Sequence, residues 1–253
     1  MAINLDAIKQ KLNSLQNVTT KQNNLWKPEP GTQVVRIVPY QHNRENPFLE
    51  LYFHYNFGGK SVLSPMSFGR PDPIVEFAEK LKRSGNKEDW KLGKKIEPKF
   101  RCFVPVIVRG EEEKGVRFWS FGKQIYQELL GVIADPDYGD ITDLMNGRDL
   151  TVEHVAAEKE GAFPSYTVRP KPNQTPATTD KEVASKIVND QKQITELYSE
   201  LSYEEMTSAL EKWLNPDTNA DAPAGKSESQ IKTATTATKV DDINSAFDEL
   251  FNS

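Results

Sequence analysis

A single cysteine, Cys102, stands in a chain of 253 residues, so no disulfide can form within it. That fits a reducing compartment. Histidine is almost as scarce, with His42, His54 and His154 far apart in sequence. One cysteine and three scattered histidines do not make the tight, paired spacings of a zinc signature. There is no run of 18 apolar residues and no signal-peptide pattern, so the chain reads as soluble, with no export direction and no membrane partner. Enzyme constellations are missing too: no Gly-rich phosphate loop, no G-x-S-x-G, no H-E-x-x-H and no Cys/His pair. Asp135, Asp137, Asp140 and Asp143 resemble a calcium loop only loosely, without its central glycine and terminal glutamate in register. The expectation is a non-enzymatic, cofactor-free protein.

Charge is present, but unevenly. The net charge of −5 argues at first against a nucleic-acid partner. Residues 1–25 carry net +2, residues 26–172 net +1 and residues 173–253 net −8. Nearly all the acidity sits in the last third, which is how an acidic tail reads. A mean hydropathy of −0.64 indicates that much of the chain is solvated.

Hydrophobic spacing places the elements. Leu5, Ile8, Leu12 and Leu15 form one face of a short N-terminal helix, marginal alone at about 14 residues and in need of a partner surface. A polar tether follows. From Trp26 the chain is β-rich, with strands over Gln33–Tyr40 and Phe48–Phe57 and a Gly58-Gly59 hairpin returning through Ser61–Leu63. Asp72-Pro73 opens a helix carrying Ile74, Phe77 and Leu81. Residues 84–98 read as polar, basic and irregular. Phe100–Arg109 and Gly115–Gly122 form a long hairpin, Lys123–Ala134 a helix, and Asp149–Val155 and Ser165–Pro170 two further strands. A Pro-rich connector leads to helical residues 181–214, with Ser202 and Glu205 as a capping box. Residues 215–240 read as a disordered linker. Residues 241–253 form an acidic segment with Ile243, Phe247, Leu250 and Phe251 on one helical face, the pattern of a helix that lies in a partner's groove. The fold class is α+β, a β-rich core with peripheral helices. Its divisions are an arm (1–24), a core (25–214), a linker (215–240) and a tail (241–253).

The strongest chemical feature is a basic run flanked by aromatic strands. Residues 80–101 hold nine Lys/Arg, among them Lys94, Lys95, Lys99 and Arg101, against three acids. Cations neutralise phosphates and release counterions. Exposed rings stack on bases at roughly 1–3 kcal/mol each without reading sequence. Against this, strand aromatics are often core, and charge runs are often simply solvated. In Phe48–Phe57 the two faces alternate and both carry aromatics, so Tyr52 is a candidate groove ring. Of Phe118 and Trp119, one is expected to point outward. Arg36 is either a groove cation or a buried, paired arginine, with the groove preferred. His54 is a satisfied strand histidine or a groove donor. Lys60, Arg169 and Lys171 complete the candidate nucleic-acid contacts.

The order of these parts resembles the T-even bacteriophage gene 32-type single-stranded DNA-binding (helix-destabilising) protein family. The residues that carry the likeness are Leu25-Trp26-Lys27, Val34–Tyr40 with Arg36, His54–Phe57, Phe103–Arg109, Val116–Tyr126 with Phe121-Gly122-Lys123, Ser165–Pro172 and the acidic tail. The resemblance implies an OB-fold-like β-barrel core that binds single-stranded DNA in a cleft holding Arg36, Arg101, Trp119, Lys123 and Tyr166. It implies an arm that docks on the neighbouring protomer, here through Leu5, Ile8, Lys9, Lys11 and Leu12. It also implies a tail that occupies the cleft or recruits replication, recombination and repair proteins, through Asp241, Asp242, Phe247, Asp248, Glu249 and Phe251. The cytoplasm of an infected bacterial host is the implied location. Well-known members carry a zinc site of one His and three Cys. Residues 61–81 here contain neither, so a zinc-less variant is expected, with Ile74, Phe77 and Leu81 packing in place of metal.

Overall fold

Gly31–Ile37, Leu49–Phe57 and Lys99–Val108 are the β-branched and aromatic stretches of the chain, and each becomes a strand. The computed structural model describes residues 24–57, 60–157, 163–198 and 200–215, together with Phe247, Leu250 and Phe251. The arm, with Leu5, Ile8, Lys9, Lys11 and Leu12, lies outside the described residues. So do most of the linker, Asp241, Asp242, Asp248, Glu249 and the side chain of Lys60.

Eight strands form one mixed sheet: β1 (Leu25–Trp26), β2 (Gly31–Ile37), β3 (Leu49–Phe57), β4 (Lys60–Leu63), β5 (Lys99–Val108), β6 (Arg117–Phe121), β7 (Arg148–Val155) and β8 (Ser165–Gln174). The main path runs β1-β6-β5-β2-β7-β8, with β3 paired to β4 and β5. β5 and β6 are the expected long hairpin, with Cys102 opposite Phe121 and Val104 opposite Trp119. β3 and β4 pair antiparallel, with Phe57 opposite Lys60. β8 runs four residues beyond the expected strand, to Gln174, which takes in the start of the Pro-rich connector. The path does not close on itself among the described residues, so the sheet is open and the barrel of the expected fold is not seen.

Among the described residues six α-helices accompany it: α1 (Pro73–Arg83), α2 (Lys87–Ile96), α3 (Lys123–Ala134), α4 (Lys181–Asn189), α5 (Ile194–Leu197) and α6 (Tyr203–Leu214). Asp72 caps α1 by accepting from the amides of Ile74 and Val75. The Ser202/Glu205 capping box opens α6. α2 is a correction to the sequence reading, which left residues 84–98 irregular. Asn86 caps it through the amide of Glu88, and Glu88 and Asp89 sit in its first turn, where a negative charge is favoured. Gly93 lets α2 approach α1, because a Cβ there would stand 2.7 Å from the Ala78 carbonyl oxygen.

The chain divides into two compact units. The first is Met1–Leu51 with Phe100–Tyr198, and the second is Tyr52–Lys99 with Ser199–Ser253. The stretch 25–214, read from sequence as one core, supplies both. In the first unit, Val35, Ile37, Val104, Val106, Trp119, Leu150 and Val152 line one side of the sheet together with Ile125 and Leu129 of α3. Val38, Ile107, Ala177 and Ile187 form a smaller cluster. In the second unit, Ile74, Phe77, Ala78 and Leu81 of α1 pack with Met206 and Leu210 of α6. Ile74, Phe77 and Leu81, expected to pack in this region, are buried there.

Candidate nucleic-acid interface

Three of the expected contact residues are core. Arg36 is 0 % exposed. Its Nε donates to Asp149 Oδ1 at 2.9 Å, and its Nη2 donates to Thr175 Oγ1 at 2.6 Å and to the Thr175 carbonyl at 2.8 Å. Gly147 makes room for the guanidinium, since a Cβ there would stand 2.8 Å from Nη1. Burial lowers the Arg36 pKa, and Asp149 opposes that shift. A buried arginine keeps its charge and needs such a partner. The preference for a groove cation is therefore corrected.

Trp119 is 1 % exposed, with its ring centroid 5.6 Å from Trp26 and 4.6 Å from Phe121, both edge-on. Its partner in the alternation, Phe118, is also buried, so neither ring points outward. His54 is the third. Its Nδ1 lies 2.8 Å from the Ile96 carbonyl oxygen and its Nε2 3.0 Å from Asp72 Oδ2. The carbonyl only accepts, so Nδ1 donates to it, and Nε2 shares a hydrogen bond with the Asp72 carboxyl. Asp72 Oδ2 also accepts from the Ser64 hydroxyl, and Asp72 Oδ1 from two α1 amides. Burial alone would raise the Asp72 pKa, but the bonds from His54 and Ser64 hold it below its ordinary value. No thiol is within this unit, both His54 nitrogens are committed, and no cluster of three metal-ligating side chains occurs among the described residues.

The remaining expected residues lie at the surface or near it. In the first unit, Arg101 and Lys123 are exposed, and neither has an ionic partner among the described residues. The β5–β6 register, continued by one residue, sets Arg101 opposite Gly122, next to Lys123 in the first turn of α3. Beside them Phe100 stacks on Tyr126 at 5.8 Å, and the Tyr126 hydroxyl donates to Glu50 at 2.9 Å. Burial, and then Glu50, push the Tyr126 pKa up, so the phenol stays a donor. On the β7–β8 hairpin, Tyr166 is half-buried and lies flat on His154, with centroids 4.5 Å apart and 16° between the planes. His154 donates from Nδ1 to the Pro28 carbonyl at 3.0 Å, which fixes its ring. Arg169 is paired with Glu153 at 2.7 Å, while Lys171 is exposed.

In the second unit, α1 and α2 gather the basic run. Lys82 and Lys94 both bind Glu97. Burial would raise the pKa of that carboxyl, but the two lysines pull it below its usual range. Asp89 accepts from the Ser84 hydroxyl at 2.8 Å. Lys87 and Lys91 are exposed and have no ion pair among the described residues. Lys99 reaches the Lys94 carbonyl at 3.4 Å, Lys95 lies over the Trp213 ring at 5.9 Å, and Tyr52 is half-buried.

The sequence reading missed Trp90. It is 48 % exposed on α2, with Lys94 Nζ 5.7 Å from its ring. Helical spacing brings Lys87 and Lys94 to the same side as Trp90, at i−3 and i+4. The signal was in the sequence, but it becomes visible only once residues 87–96 are read as a helix.

A family model described as gp32 DNA binding protein like matches residues 29–215. The chain belongs to this family. The match covers most of the described residues of both units and stops short of the arm and the tail. No curated protein matches the chain.

Proposed function

We propose that the protein binds single-stranded DNA without sequence preference and holds it unpaired. Membership of the gp32-like family supports DNA as the partner. The observation that carries the reading is the exposed part of α2, where the half-exposed ring of Trp90 shares its side with Lys87 and Lys94, and Lys91 is exposed at the next position. A single strand needs both elements, an apolar ring for its bases and cations for its phosphates. In the first unit, Arg101 and Lys123 offer a second pair of cations and Tyr166 a half-exposed ring braced by His154.

Binding the open strand better than the duplex shifts melting by mass action, so no catalytic step is required. The proposal includes an OB-type core, cooperative coating through Leu5, Ile8 and Leu12 of the arm, and a role in phage replication, recombination and repair in the host cytoplasm. It also includes an acidic tail that competes electrostatically with DNA and recruits partner proteins.

Titration with oligo-dT, followed by tryptophan fluorescence at low and high salt, tests the reading. The expected result is quenching whose midpoint weakens steeply with salt. A silent titration at low salt favours a protein-interaction scaffold instead.

A further inference from the structure

The acidic tail carries its apolar residues on one side, a pattern that suits a groove on another protein. The structure already gives those residues a place. Phe247 is 6 % exposed and belongs to the apolar cluster of the second unit, with Ile74 and Phe77 of α1 and Met206 and Leu210 of α6. Its ring meets Phe77 edge-on at 6.0 Å. Phe251 packs on Phe247 at 4.9 Å and on Tyr203 at 6.3 Å, and Leu250 joins the same cluster. Tyr203 is itself fixed by donating its hydroxyl to Glu76 at 2.7 Å, which ties the start of α6 to α1. The floor of the seat, Phe77, is 0 % exposed.

We propose that the C-terminal segment is an intramolecular ligand of the α1/α6 face, seated by Phe247, Leu250 and Phe251, and that this seat hides the same apolar face from protein partners until the segment leaves it. The second half of this statement rests on the proposed role of the tail in recruiting proteins; the seat itself does not. The contacts of the described tail residues are apolar, so the seat differs in kind from electrostatic competition between the tail acids and DNA. Salt separates the two. At about 1 M the Debye length is about 3 Å, which screens surface charge but leaves apolar burial in place.

The test uses the full-length chain and its Phe247→Ala and Phe247→Leu variants. Hydrogen exchange is read at the amides of α1, α6 and the tail, in low salt and in about 1 M salt. A fluorescent peptide covering residues 240–253 is then added to each chain and its anisotropy followed. The proposal expects exchange at the tail and the seat to accelerate on the order of tenfold or more in the Ala variant. It expects near-normal exchange in the Leu variant and protection that survives high salt in the unmodified chain. The peptide should bind the Ala variant on the order of tenfold more tightly than the unmodified chain, whose seat is filled, and a peptide carrying the same Ala change should not bind. Exchange unchanged by Phe247→Ala overturns the proposal, as does protection that disappears with salt or equal peptide binding to all three chains. Oligo-dT binding is measured in the same samples. Loss of DNA binding with the seat intact overturns the DNA reading and leaves the seat standing.

Discussion

The two units are each fastened by one carboxylate, half-buried Asp149 in the first and buried Asp72 in the second, with different partners. In the first, Asp149 receives Arg36 and Arg109, both at 2.9 Å. The same two guanidinium groups reach on to the backbone of Thr175, Pro176 and Ala177, pinning the segment after β8 to the sheet. In the second, Asp72 receives His54, Ser64 and two amides of α1. His54 also holds the last residue of α2 through the Ile96 carbonyl. The first fastening rests on guanidinium groups that stay charged over the whole accessible pH range. The second rests on an imidazole, a hydroxyl and a helix end. Asp72 alone gathers four hydrogen bonds from β3, from the residue after β4 and from α1.

Removing each carboxylate sharpens the comparison. Asp149→Ala leaves buried Arg36 without its ion-pair partner and half-buried Arg109 with only the longer contact to Glu112, which costs about 3–5 kcal/mol. Urea unfolding measures the loss, and hydrogen exchange should locate it in β2, β7 and the residues after β8. If the variant unfolds at the same urea concentration as the parent, the first fastening is decorative. Asp72→Ala removes a helix cap and two buried side-chain bonds together, at a cost of about 2–4 kcal/mol, with the loss located in α1 and α2.

The pH dependence of the second fastening has a definite sign. Asp72 has a folded pKa below its ordinary value. Its contribution is therefore complete above the unfolded value of about 3.9 and is lost as pH falls through the lower folded value. The stability gap between the parent and Asp72→Ala should close as pH falls below about 4 into strong acid. A gap that stays full in strong acid contradicts the hydrogen-bond assignment. The smallest expected effect is on DNA binding. Lys91→Ala should leave folding intact and reduce the salt slope of oligo-dT affinity by about 0.7, the share of one phosphate contact on a single strand.

The fold was legible where the pattern is local. The Asp72-Pro73 start of α1, the Ser202 box of α6, the β5–β6 hairpin and the limits of α3 all follow from spacing and caps within a few residues. α2 was not legible, because its apolar side is only Leu92 and Ile96 with a glycine between them, and Gly93 serves packing rather than breaking the helix. The site was less legible than the fold. Arg36 read as a groove cation because its partner stands 113 residues away, and nothing near it in sequence announces Asp149. Trp119 and Trp26 are adjacent only through the parallel pairing of β1 with β6. His54 lies where the β3–β4 register shifts, so simple alternation misplaces it. Charge at a strand end or on an exposed helix needs no distant partner, and Arg101, Lys123, Lys87, Lys91 and Lys94 accordingly lie at the surface, as charge alone suggests.

Of the four tryptophans, Trp26 and Trp119 are buried and Trp213 is half-buried, which leaves Trp90 as the one with an open face. Oligo-dT quenching of the parent chain compared with Trp90→Phe and Trp90→Ala tests the account most directly. The account predicts that most of the quenching disappears in both variants. It further predicts that affinity is kept within a few-fold in the Phe variant and falls by about 1–3 kcal/mol in the Ala variant, with unfolding unchanged. Full quenching and full affinity in Trp90→Ala would contradict it.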